Sequence, residues 1–191
     1  MQLLGLLASV LILSGCGGED SGDPLVFPDA KTAIQGLESL RFGDSCGRLH
    51  EQVRDRLPKS ASDKARKPGE DFRIETSYPI LGSSNAYFYC DDGTDRLDKV
   101  MLRLIAPLRD YQPYERALAR LREQWGEPAL EQSREQQSPN AQAIRNLGGN
   151  PQTYTLHSAV WRHERGVEAT LGMEFGWREI ELKLHFEQKG Q

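Results

Sequence analysis

The stretch from Glu179 to Glu187 constrains the fold of this chain most. Ile180, Leu182, Leu184 and Phe186 alternate there with Glu179, Glu181, Lys183 and Glu187. A period of two puts the apolar side chains on one face of a strand and the charges on the other. A strand of this kind belongs in an antiparallel sheet with one face covered and one face wet. The pattern recurs. Phe72, Ile74, Thr76 and Tyr78 alternate with Arg73, Glu75 and Ser77, and Val100, Leu102, Leu104 and Ala106 mark another strand ended by Pro107. Between them Ala86 to Cys90 is short and aromatic, with Tyr87 and Tyr89 on one face and Phe88 and Cys90 on the other. Thr155 to Arg162 and Val167 to Phe175 read as two more strands, with Trp161 in the core.

Such a sheet needs cover for its apolar face, and helical spacing supplies it. Asp29 can cap a helix with Ala30, Ala33, Ile34, Leu37 and Leu40 inward. Asp44 or Ser45 can cap a second, with Cys46, Leu49, Val53 and Leu57 on one face and Pro58 as its stop. Pro113 suits a helix start, Tyr114, Ala117, Leu118, Leu121 and Trp125 share a face, and Gly126 and Pro128 close it. The turns fall at Gly82-Ser83-Ser84-Asn85, Asp91-Asp92-Gly93, Arg165-Gly166 and Gly176-Trp177, and Glu131 to Gln152 reads as a long polar excursion. The expectation is an α+β fold of two tandem helix-strand-strand-strand units, about 29–107 and 108–188. They would form one domain over 29–188, an antiparallel sheet with helices packed on one face.

The amino terminus says where the chain resides. Leu3 to Leu13 is apolar except for Gly5 and Ser9, about half the ~20 residues a membrane-spanning helix needs. That length suits the centre of a secretory signal. Leu13-Ser14-Gly15-Cys16 then resembles the lipobox of bacterial lipoproteins, although no Lys or Arg precedes Lys31. The resemblance implies cleavage after residue 15 and lipidation of Cys16, including palmitate-type acylation of the new amino terminus. Two or more acyl chains anchor stably where one does not. Residues 16–28 are then the lipidated cysteine and a flexible tether, with Gly17 to Asp23 built from Gly, Glu, Asp and Ser. Enteric lipoproteins kept at the inner membrane often carry Asp after the cysteine. Gly17 stands there instead, which implies the outer membrane, with the protein facing the periplasm.

Lipidation of Cys16 leaves Cys46 and Cys90, an even pair in an oxidising compartment, which are expected to form a disulfide bond. The net charge of −4 argues against a nucleic acid partner. The layout of the mature part looks like the SmpA/OmlA type of small lipoprotein from the outer-membrane barrel-assembly machinery, and like the tandem-repeat β-lactamase-inhibitor architecture. The residues carrying it are Leu40 to Ser45 leading into Val53, and Tyr114 to Trp125-Gly126-Glu127-Pro128. The first half departs by ending Leu57-Pro58 without glycine.

Chemistry is sparse. The chain has no phosphate-cradling glycine loop, no Gly-x-Ser-x-Gly elbow and no zinc-ligand pair at helical spacing. His157 and His163 share a strand face but lie about 20 Å apart at ~3.3 Å per residue, too far to share an ion. Asp91-Asp92-Gly93 lacks the twelve-residue calcium loop and its terminal Glu. No cofactor, metal or catalytic group is therefore expected. Trp177, beside a predicted turn, and Tyr87 and Tyr89 are the candidate partner-binding residues, since exposed Trp and Tyr are favoured anchors. The reading is a non-enzymatic, lipid-anchored protein-binding module of the cell envelope. An inhibitor or immunity protein against a periplasmic hydrolase or toxin is the alternative, and an unrecognised hydrolase the third.

Overall fold

The structure, a computed structural model, describes residues 24–59, 65–108, 110–175 and 179–189. The apolar alternation becomes a single seven-stranded antiparallel sheet. Its strands are β1 (Phe72–Tyr78), β2 (Gly82–Cys90), β3 (Leu97–Pro107), β4 (Leu130–Gln137), β5 (Thr153–Arg162), β6 (Val167–Phe175) and β7 (Glu179–Gln188). They stand side by side in the order β1-β2-β3-β7-β6-β5-β4. Accompanying them among the described residues are the α-helices α1 (Cys46–Gln52), α2 (Gln112–Trp125) and α3 (Ala141–Asn146).

Two tandem helix-plus-three-strand units are not what forms. β3 and β7 pair from Lys99↔Glu187 to Pro107↔Glu179, so the two halves of the chain share one uninterrupted sheet. After β3 the chain passes through α2 to the far edge, lays down β4, and returns strand by strand to the centre. The stretch read as a polar excursion supplies both β4 and α3. All eight residues of β4 are exposed, so it carries no apolar alternation; its main chain pairs with β5 from Leu130↔Val160 to Gln137↔Thr153. The expected helix after Asp29 is also absent. Asp29 caps only a single 3-10 turn, Ala30–Thr32, and the chain beyond it is irregular. Ala33, Ile34, Leu37 and Leu40 are nonetheless all buried, so these residues cover the sheet as a loop. The expected turn at Gly82 to Asn85 lies inside β2, and the reversal falls one step earlier, at Pro79 to Leu81. The described chain also begins inside the core, where residues 24–28 were expected to be tether: Val26 and Phe27 are 0% and 1% exposed.

The amino-terminal segment, α1 and α2 cover one face of the sheet. Ile74, Phe88, Val100, Leu102, Leu184, Phe186 and Leu171 form the floor of the core. Phe27 sets its ring edge-on to Phe186 at 5.1 Å. Trp125, at the end of α2, meets Phe186 and Trp161 edge-on at 6.0 and 5.8 Å. Trp161 is buried and donates its indole N–H to the Gly126 carbonyl at 2.9 Å, tying the end of α2 to β5. Cys46 and Cys90 are joined by a disulfide, with Cα atoms 6.2 Å apart, which fixes α1 to the end of β2. Beside it Asp95 holds the loop structure together. Its carboxylate accepts the Gly47 and Gly69 N–H groups at 3.2 and 2.9 Å and pairs with Arg66 at 2.6 Å. The Arg66 guanidinium and these N–H groups keep the Asp95 carboxyl below its ordinary pKa.

Candidate binding surface

The other face of the sheet is a broad surface in which side chains line up across strands. Antiparallel register places directly opposed residues on the same face. One row runs Arg73, Tyr87, Met101, His185, Thr170, Val160 and Leu130 from edge to edge. The next runs Glu75, Asn85, Arg103, Lys183, Gly172, Ser158 and Gln132.

The groups on this face find their partners within it. Arg103 bonds Glu181 at 2.5 Å and donates to the Tyr87 hydroxyl at 3.4 Å. Lys183 binds Glu174 at 2.5 Å and Glu181 at 3.3 Å. Tyr89 reaches the Met101 sulfur at 3.9 Å and lies under Lys99, whose ammonium is 5.9 Å from the ring centre. The titrations follow from these contacts. Burial alone would raise the Tyr87 phenol, but hydrogen bonds from Arg103 and Arg73 bring it below its ordinary value. For Lys183, burial is outweighed by Glu174 and Glu181, and its ammonium is held more firmly than usual. For His185, burial and then the nearby Lys99 charge outweigh the carboxylates of Glu174 and Glu187 and lower its pKa to about 4. It is therefore a neutral imidazole at physiological pH.

The sequence-predicted site residues are placed as follows. Tyr87 and Tyr89 are half-exposed on the open face, on adjacent rows of β2. Cys46 and Cys90 form the bridge. Cys16 and Trp177 lie outside the described residues. Of the histidines, His50 is buried in α1 against the edge of the Phe72 ring. His157 stacks on Tyr114 of α2 at 5.5 Å, on the core side. Asp91 takes a turn role, its carboxylate accepting the N–H groups of Gly93 and Thr94. Among the described residues no group of three or more His, Cys, Asp or Glu is gathered to hold a metal, and no helix is long and apolar enough to cross a membrane.

A groove of about 420 Å³ missed by sequence reasoning opens on the same face, over β4 to β7. Gly172 lies at its floor, among Ser158, Thr170, Glu174, Lys183 and His185. The available signal was Gly172 itself, a glycine in the interior of an otherwise regular strand. A second hollow of about 440 Å³ lies on the opposite side, between α2 and β4–β5, lined by Tyr111, Tyr114 and His157. Burial, and after it the charge of Glu131, raises the Tyr114 phenol to about 12, so it stays protonated.

No protein-family model, no curated protein and no solved structure matches this chain.

Proposed function

We propose that the protein is a lipid-anchored binding module facing the periplasm, which holds a protein partner against the open face of its sheet. One observation carries the reading of the face. Helices α1 and α2 and the amino-terminal segment all contact the apolar side, leaving Tyr87 and Tyr89 half-exposed on the other face among the described residues. That face combines what partner surfaces favour: Tyr87 and Tyr89 as large, stiff side chains, and Arg103 already oriented by Glu181. Cross-strand pairing holds these groups in place before a partner arrives, which lowers the ordering cost of association.

The anchor is read from Leu13-Ser14-Gly15-Cys16. An outer-membrane lipoprotein would present the sheet to the periplasm on a short leash, where a tether raises the effective concentration of a partner at the same membrane.

Two measurements test the proposal. Cys16→Ser should abolish acylation and move the protein from the membrane to the soluble fraction. Retention on the membrane after signal cleavage would refute the anchor. Tyr87→Ala together with Tyr89→Ala should remove the partner captured by the lipidated wild-type protein while leaving the circular dichroism unchanged. Undiminished capture would refute the face. An envelope assembly component among the captured proteins supports a scaffold, and a stoichiometric hydrolase or toxin supports an inhibitor.

A further inference from the structure

We propose that the groove over Gly172 is a binding site for a saccharide ring. The proposal stands on the groove itself and does not rest on the anchor or on a protein partner.

The first observation is the glycine. Gly172 sits mid-strand in β6, paired on one side with Ser158 and on the other with Lys183. A Cβ built there would meet only the Ser158 Cβ, at 4.0 Å, which is ordinary contact. Neither a turn nor a close neighbour requires glycine at this position, and glycine weakens a strand interior. What glycine provides is the groove: any side chain would stand up into it between Thr170 and Glu174.

The second observation is the set of groups around the floor. The side chains of Gln132, Ser158 and Thr170 form no hydrogen bond with other described residues. His185 keeps its Nδ1 buried without a partner. Glu174 and Lys183 form an ion pair whose remaining lone pairs and protons face the same space. Donors and acceptors are thus mixed in one small area. A phosphate or carboxylate requires donors alone, and Glu174 opposes it. An organic cation requires acceptors alone, and Lys183 and Arg134 oppose it. An apolar ligand would leave these groups desolvated and unpaired, which is costly. Hydroxyl groups donate and accept at once, so a polyhydroxylated ring satisfies the set, while its C–H face can rest on the bare Gly172 backbone. The volume of about 420 Å³ lies within the range of small-ligand sites and suits a mono- or disaccharide.

The test is a saturation-transfer NMR titration of the full chain as isolated from cells, kept free of sugar-headed detergent, which would itself compete. The probes are N,N′-diacetylchitobiose and maltose, with inorganic phosphate and tetramethylammonium as competitors of the other two classes. At least one disaccharide should bind saturably in the millimolar range. Gly172→Ala should weaken it about tenfold, and Gly172→Val should abolish it without lowering the melting temperature, because a β-branched residue suits the strand. Should the valine variant fail to fold, Gly172→Ala and Gln132→Ala, the latter on the exposed edge strand, carry the test. Binding of neither disaccharide, undiminished binding by these variants, or displacement of the sugar by phosphate or tetramethylammonium would overturn the proposal.

Discussion

Reduction of the Cys46–Cys90 bridge offers a prediction whose size follows from the structure. The bridged residues are 44 positions apart, and each is also held by a hydrogen bond from its own main chain. The Cys46 N–H donates to the Asp95 carbonyl at 2.9 Å, and the Cys90 N–H to the Asp71 carboxylate at 2.8 Å. Native geometry should therefore survive loss of the bridge, and the effect should fall on the unfolded chain, which gains the freedom of a loop of this length. The chain-entropy relation puts that at about 4 kcal/mol. With a urea slope of ~2 kcal/mol/M, the midpoint should drop by about 2 M. For a chain of this size the melting temperature should fall by about 8–16 °C. The assay is urea unfolding of the oxidised protein, the protein in excess dithiothreitol, and the Cys46→Ala/Cys90→Ala variant, followed by far-ultraviolet circular dichroism. The two bridge-free forms should agree with each other and keep the native spectrum before the transition. A midpoint shift below about 0.5 M, with the slope unchanged, would refute the argument. A changed native spectrum would show that the bridge shapes the folded state instead.

Further predictions rest on single contacts. Trp161→Phe removes the bond to the Gly126 carbonyl and part of a buried ring, and should cost about 2–3 kcal/mol in urea unfolding. Gly69 and Gly82 share a φ of +76°, but a Cβ at Gly69 would lie 2.6 Å from the Asp92 Cα whereas one at Gly82 meets nothing within 4 Å. Gly82→Ala should therefore cost about 1–2 kcal/mol, the left-handed penalty alone, and Gly69→Ala clearly more; equal costs would contradict the packing. His185 titrates near pH 4 folded and near ~6.5 unfolded, so its unfolded form binds the proton first as pH falls. Its contribution to stability is complete above pH ~6.5 and declines towards pH 4, by on the order of 3 kcal/mol at most. Chemical unfolding of His185→Gln across that range should show a shallower acid slope than the wild type. The Asp95 shift has the same sign at lower pH: with its folded pKa lowered, its contribution is present above the ordinary carboxylate value of ~3.9 and is lost as pH falls through the lowered one. Asp95→Asn should accordingly lower stability at neutral pH and make little difference at the acid extreme.

Where the sequence is legible, one physical contrast is strong. β7 and β1 alternate cleanly because one side of each faces the core and the other faces water. α2 carries Pro113 near its start, buried Tyr114, Ala117, Leu118 and Leu121, and Gly126 after its end. β4 is illegible for the complementary reason: its exposed side chains leave no burial contrast, and its place is set by main-chain pairing to β5, which no side chain advertises. Alternation also reports a face without reporting a neighbour. Val100 to Ala106 and Glu179 to Phe186 each read as strands, yet their sequences do not show that the two are adjacent, and that single pairing decides between two units and one sheet. The segment from Ala33 to Leu40 shows the reverse error: apolar spacing fit for a helix is met by an irregular chain that buries the same residues. The aromatic face of β2 was legible at Tyr87 and Tyr89, whereas the groove was not, because it is assembled from four strands around a residue with no side chain.

Site-specific photo-cross-linking in living cells tests the binding role most directly. A photoreactive residue at Tyr87 probes the open face, and one at Glu115, exposed on α2 on the covered side, serves as the comparison. The wild-type protein should give a discrete adduct from Tyr87 and none from Glu115, and, on the proposed anchor, the Tyr87 adduct should fade in the Cys16→Ser variant. No adduct from Tyr87, or equal adducts from both positions, would contradict a membrane-tethered module that binds through the open face of its sheet.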